Sequence, residues 1–180
     1  MRLEGAPAGA PSALLLLAMP RRRTIKRPAA TAPLGGILLA TEGRPIPTAA
    51  VEKAAELARA AGVPVHVFAV ARIYGVGFGL PAPWLRPNAG EWQEQRDNLT
   101  RVIGLLERRK VEADGNILGT RKATKRIVGE AERLGCEAIV MGADPPRSRL
   151  LADMMWSQEP YRVQRRSPVP VHLVLEDEEA

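Results

Sequence analysis

The chain has 180 residues, 46% of them apolar and 26% charged, with a formal net charge of +6. That length suits one domain of ordinary size plus a tail, and it argues against a multidomain enzyme. No apolar run approaches the roughly 18 to 20 residues of a membrane-spanning helix, and the single cysteine, Cys136, excludes an internal disulfide.

Residues 1–34 hold six basic side chains (Arg2, Arg21, Arg22, Arg23, Lys26 and Arg27) against Glu4, whereas residues 35–180 hold 20 basic and 19 acidic ones. The charge excess therefore sits in an Ala-, Pro- and Arg-rich arm without hydrophobic periodicity, and residues 1–33 are expected to be disordered. The arm does not read as an export signal, because Leu14–Leu17 is too short an apolar core and the Arg cluster follows it. Met19 offers a second initiation point. A cluster this small, without interleaved aromatics, reads as a solvated tail; weak contact with nucleic acid through the arm is an alternative, not the expectation.

From residue 34 to 175 the pattern alternates between strand and helix, and it predicts one domain. Ile37–Thr41 is a short apolar run closed by Glu42-Gly43, as for a buried parallel strand. Thr48 to Ala61 carries Val51, Ala55 and Ala58 on one helical face and stops at Gly62. Val63–Val70 predicts a second strand, and residues 73–90, rich in Gly and Pro, predict a long loop. Gly75-Val-Gly-Phe-Gly79 within it lacks the register of a dinucleotide loop and reads as a lid or interface loop.

Trp92, Leu99, Val102, Ile103 and Leu106 recur at helical spacing through to Arg109, and Ala113–Leu118 predicts a weaker third strand. Arg121, Lys122, Lys125 and Arg126 open a third helix, striped by Ile127, Ala131 and Leu134 and ended by Gly135. Ala138–Met141 is a fourth strand with a turn at Gly142. Pro160 is tolerated only in a first helical turn, so Ser157 is the expected N-cap of a last helix over 158–166. Val169–Leu175 is the fifth strand, and residues 176–180 form an acidic tail. Five strands alternating with four helices predict an α/β fold with an open five-stranded parallel sheet and helices on both faces.

The stretches Ile37-Leu-Leu-Ala-Thr-Glu-Gly43, Val65–Val70, Ile127–Ala131, Cys136-Glu-Ala-Ile-Val-Met-Gly142 and Ser167-Pro-Val-Pro-Val-His-Leu-Val174, in that order and spacing, resemble the universal stress protein family. The resemblance implies a Rossmann-like fold of the adenine-nucleotide alpha-hydrolase kind, a role in stress response, a cytoplasmic setting, and a homodimer joined along Val169–Val174. Members that bind ATP carry Gly-x-x-Gly, nine residues, then Gly-[Ser/Thr], with an Asp after the first strand. Here Gly142 matches the first glycine and Ser157 the final hydroxyl, but Pro145 and Trp156 replace the other glycines, one residue is added, and Glu42 replaces the Asp.

Proline has no N–H to donate, and an indole obstructs the close approach of backbone to phosphate. Two lost hydrogen bonds to a charged group, at about 1.5 to 3 kcal/mol each, weaken binding about a hundredfold or more. The expectation is a non-catalytic regulatory or binding protein without tight ATP binding and with no resident cofactor. The alternative is a nucleotide or small-anion sensor, with ATP or AMP as ligand. It would use Thr41, Glu42, Gly43, Val70, Gly142 and Ser157, with Arg121, Lys122 and Lys125 as anion-binding side chains.

Ser157 is expected to act as a helix cap before it acts as a phosphate ligand, and Arg149–Trp156 leaves open a packed plug or a partner contact. With His66 and His172 the only histidines, both expected in strands, no zinc cage can form, and no catalytic motif stands out.

Overall fold

The computed structural model describes residues 35–72, 89–144 and 158–175; the arm, the loop after residue 72, residues 145–157 and the acidic tail lie outside them. In chain order the elements are β1 (Ile37–Thr41), α1 (Thr48–Ala61), β2 (Val65–Arg72), α2 (Ala89–Arg108), β3 (Ala113–Thr120), α3 (Ala123–Leu134), β4 (Ala138–Ala143), α4 (Glu159–Arg166) and β5 (Val171–Leu175). The five strands form one sheet in the order β3-β2-β1-β4-β5. Every pairing is parallel, with Ile37 opposite both Val65 and Ala138.

β1 is central and every residue in it is buried, which is why it reads as an unbroken apolar run and not as an alternation. Its side chains still alternate between faces. Ile37 and Leu39 pack beneath α1 and α2 with Val51, Val67, Leu99 and Val140. Leu38 and Ala40 pack beneath α3 and α4 with Phe68, Ile127, Met141 and Val163. Each fully buried Leu of this kind stabilises the fold by about 1.5–3 kcal/mol.

Where α2 crosses β3, Gly115 lets Leu99 approach: a Cβ there would lie 2.7 Å from Leu99 Cδ1. α3 ends at Gly135 in the left-handed region, φ 66°, where its N–H reaches Glu132 O.

Several element ends differ from expectation, and the missing donors of proline explain two of them. β2 starts at Val65, because Val63 donates back to Ala58 O of α1 and Pro64 has only a carbonyl, which accepts from Ile37. β5 starts at Val171, because the Val169 N–H turns to Ser167 Oγ and Pro170 offers only its carbonyl, to Ile139. β2 and β3 run on together to Arg72 and Thr120. α2 begins at Ala89, inside the stretch read as loop. α4 begins at Glu159 with Gln158 as N-cap, which corrects the assignment of that role to Ser157. No helix among the described residues is long and apolar enough to cross a membrane.

Candidate functional site

The chain passes from β1 to β2 on one side of the sheet, while β4 lies on the other, so the strand order reverses between β1 and β4. Open α/β sheets place ligands outside the C-terminal ends of the strands at such a point. Thr41 and Ala143 are the last residues of the two strands there.

The turn after β1 is held tightly. Thr41 Oγ1 donates to Arg44 O at 2.6 Å and accepts from the Gly43 N–H at 3.3 Å. Gly43 has φ 115°, a conformation that a β-carbon would strain. Gln95 of α2 donates to Gly43 O at 2.9 Å.

Glu42 is 1% exposed, and its carboxylate accepts from Arg44 Nε at 2.6 Å. Arg44 Nη1 then reaches Asp144 Oδ1 at 2.9 Å, just past the end of β4. One guanidinium thus bridges two carboxylates across the crevice. Burial works against the Arg44 charge, but Glu42 and then Asp144 outweigh it and hold its pKa above the ordinary value. Tyr161 of α4 donates to Asp144 O at 2.7 Å, and burial, aided by Asp144, raises the phenol pKa and keeps it protonated.

Thr41, Glu42 and Gly43 therefore come together at the mouth, and Gly142 sits one strand away in β4. Val70 is buried in the core beneath α3 and α4. Ser157, Pro145 and Trp156 lie outside the described residues, as does the Arg149–Trp156 stretch.

Arg121 and Lys122 precede α3, and Lys125 and Arg126 lie in its first turn; all four are exposed, and their side chains make no ion pair with a described residue. The N-cap, Lys122, makes no side-chain cap bond. Just beyond it, Thr124 Oγ1 donates to the carboxylate of Glu159, which ties the start of α3 to the start of α4.

Arg44, Asp144, Gln95 and Tyr161 were not legible as site residues. The available signal was positional, since Arg44 stands three residues and Asp144 one residue past the end of a strand that borders the crevice. Gln95 Oε1 and Asn98 Nδ2 are buried without a partner near this turn.

The two histidines lie in strands, as expected. His66 Nδ1 is 2.9 Å from Asp114 Oδ1 and Nε2 is 3.1 Å from Gly35 O. The bond to Asp114 raises its pKa against the opposing effect of burial. Cys136 is buried, and burial pushes its thiol up to about 12, so it stays an unreactive thiol. Among the described residues no group of three or more His, Cys, Asp or Glu side chains is arranged to hold a metal ion. A separate groove, between α1 and β5, is lined by Glu52, Lys53, Glu56 and Arg59 and by Val171 to Val174.

Residues 35–174 match the model of the universal stress protein family. The chain belongs to that family. The resemblance read from the order of its strand and turn stretches is borne out, as is the Rossmann-like parallel sheet.

Its structure is similar to that of a universal stress protein from Archaeoglobus fulgidus, with TM-score 0.60 at 21% identity over 78% of this chain and 93% of that one. A universal stress protein from the same organism in complex with dAMP gives 0.56 at 21% identity over 77% and 95%. A universal stress protein in complex with cAMP gives 0.57 at 14% identity over 81% and 100%. At such identities the likeness is one of fold. No curated protein matches the chain.

Proposed function

We propose that this family member is a non-catalytic binding or regulatory domain that holds ATP weakly and carries no resident cofactor. The observation that supports this most directly is the bridge Glu42–Arg44–Asp144 across the crevice. A polyphosphate entering there meets two carboxylates. Arg44 cannot turn to a phosphate without giving up its bond to the buried carboxylate of Glu42, which is unfavourable. Pro145 and Trp156 at two glycine positions of the phosphate motif add to the same effect.

A second reading is a sensor of nucleoside monophosphates or small anions through Thr41, Glu42, Gly43, Val70, Gly142 and Ser157, with Arg121, Lys122 and Lys125. It is favoured by the uncapped start of α3 and by the dAMP and cAMP complexes of two relatives of the same fold. A monophosphate depends on fewer phosphate contacts than ATP and suffers less from their loss.

We further propose a cytoplasmic homodimer joined along β5, whose outer edge has no strand beside it in the sheet. Leu175, at the end of β5, is the one large apolar side chain exposed among the described residues. Thermal shift with ATP, AMP, cyclic AMP and phosphate, with and without Mg²⁺, separates the two functional readings. Stabilisation by AMP or cyclic AMP but not ATP supports the sensor, and no shift at about millimolar ligand rules it out.

A further inference from the structure

The end of the sheet opposite the crevice holds a buried histidine with more hydrogen-bond acceptors around it than a neutral ring can serve. His66, the second residue of β2, lies beside Leu38 of β1 and Asp114 of β3 and is 2% exposed. Its Nδ1 is 2.9 Å from Asp114 Oδ1, and its Nε2 is 3.1 Å from Gly35 O. A neutral imidazole carries one N–H, so only the protonated ring donates to both.

The charge on the ring therefore decides which partner is kept. A bond to a carboxylate is stronger than a bond to a neutral carbonyl, and a bare ring nitrogen facing a carboxylate is repelled by it. On deprotonation the remaining proton stays on Nδ1 toward Asp114, and Gly35 O loses its donor.

The segment that loses this bond is held by little else. Gly35 and Gly36 have φ 104° and 139°, conformations that glycine reaches readily and leaves readily. Among the described residues the other backbone bonds to it are Gly35 N–H to Leu134 O at 2.7 Å and Glu137 N–H to Gly36 O at 2.9 Å. The first of these also satisfies a carbonyl at the end of α3. Gly36 lies against the ring itself, since a Cβ there would be 2.9 Å from His66 Cδ2.

The ionisable groups around the ring are Asp114 on β3, Glu130 and Arg133 on α3, and Cys136 and Glu137 in the turn before β4; β1 has none. Arg133 is engaged by Glu130 at 2.7 Å. The Cys136 thiol, pushed up to about 12 by burial, stays protonated. The bond to Asp114, aided by Gly35 O and Glu130, raises the His66 pKa against burial. The ring thus changes charge above about 6.5, in the neutral to alkaline range.

We propose that His66 is a pH-operated latch: its imidazolium fastens the Gly35–Gly36 segment to the N-terminal edge of the sheet, and loss of the proton releases that segment while the rest of the domain stays folded. Acidification tightens the junction with α3, and alkalinisation loosens it. The device does not depend on the β1/β4 crevice.

The test is amide hydrogen exchange by NMR on the full-length protein from about pH 6 to about pH 9, with each rate divided by the intrinsic rate at that pH. Protection of the Gly35 and Glu137 N–H groups should fall by about fivefold or more, as for the loss of one hydrogen bond, with the same midpoint as the His66 ring shifts. Protection of Ile139, whose N–H is bonded to Pro170 O within the sheet, should not follow that midpoint. Ring nitrogen shifts should place the proton of the neutral form on Nδ1.

His66→Gln should abolish the pH dependence, and Asp114→Asn should move its midpoint to lower pH. Where either variant fails to fold by circular dichroism, the exchange and ring shifts of the native protein decide alone. Protection that is constant across the His66 titration, a parallel loss at Ile139, a neutral ring protonated on Nε2, or an unchanged pH dependence in folded His66→Gln would each overturn the proposal.

Discussion

Arg44 Nη1 lies 2.9 Å from Asp144 Oδ1, a residue 100 positions away in the chain, and so links the turn after β1 to the end of β4. The same side chain neutralises Glu42, which is almost fully buried. One guanidinium thus ties together the C-terminal ends of β1 and β4.

Removing Arg44 takes its guanidinium away from the buried Glu42 carboxylate. Because Arg44 is itself about one-third exposed, the full cost of a buried pair is discounted, and Arg44→Ala should destabilise the domain by about 1–3 kcal/mol. Glu42→Gln introduced with it should recover part of the loss, because a neutral amide is less costly to bury than a carboxylate that has lost its guanidinium. Urea midpoints at neutral pH measure both. A loss below about 0.5 kcal/mol, or no recovery in the double variant, would show that the network does not hold the turn.

Gly115 tests the packing of α2 on the sheet. A methyl group there meets Leu99 Cδ1 at 2.7 Å, with Leu99 fully buried, so Gly115→Ala should cost about 1–3 kcal/mol by overpacking. Combined with Leu99→Val the loss should be smaller than the sum of the two single variants, since the second makes room for the first. Strict additivity by chemical denaturation contradicts the contact.

His66 makes stability depend on pH. Its two ring nitrogens face two acceptors, Asp114 Oδ1 and Gly35 O, and both can be served only by the protonated ring. The folded pKa is raised above the unfolded value of about 6.5. The stabilising contribution is therefore fully present below about pH 6.5 and is lost as pH rises through the folded pKa. The stability difference between the native protein and His66→Gln should shrink from pH 6 towards pH 9, as followed by urea midpoints at each pH. A difference that grows with pH reverses the sign and refutes the assignment.

The β5 edge makes a prediction about assembly. Sedimentation velocity should show a dimer, and Leu175→Lys should shift it towards monomer without changing the thermal midpoint of a dilute sample. A monomeric native protein, or a dimer indifferent to Leu175, places the interface elsewhere or removes it.

The parallel α/β architecture was readable because each strand is a short apolar run and each helix carries a stripe, with Gly62 and Gly135 as stops. The misplaced strand starts all involve donors diverted by neighbours of proline: Val63 and Val169 look like strand residues, but their N–H groups are used by a helix end and by Ser167. Half of the site was legible in the same way, because Thr41, Glu42 and Gly43 directly follow an apolar run. Arg44 and Asp144 were not, since each is an ordinary surface residue until the parallel pairing of β1 with β4 brings the two turns together.

Isothermal titration of the full-length protein with Mg²⁺-ATP tests the central claim most directly. The account predicts a dissociation constant of about millimolar or weaker, since Pro145 and Trp156 stand at two glycine positions of the phosphate motif and the crevice mouth holds two carboxylates. A dissociation constant in the range of about 1 to 10 μM would contradict it.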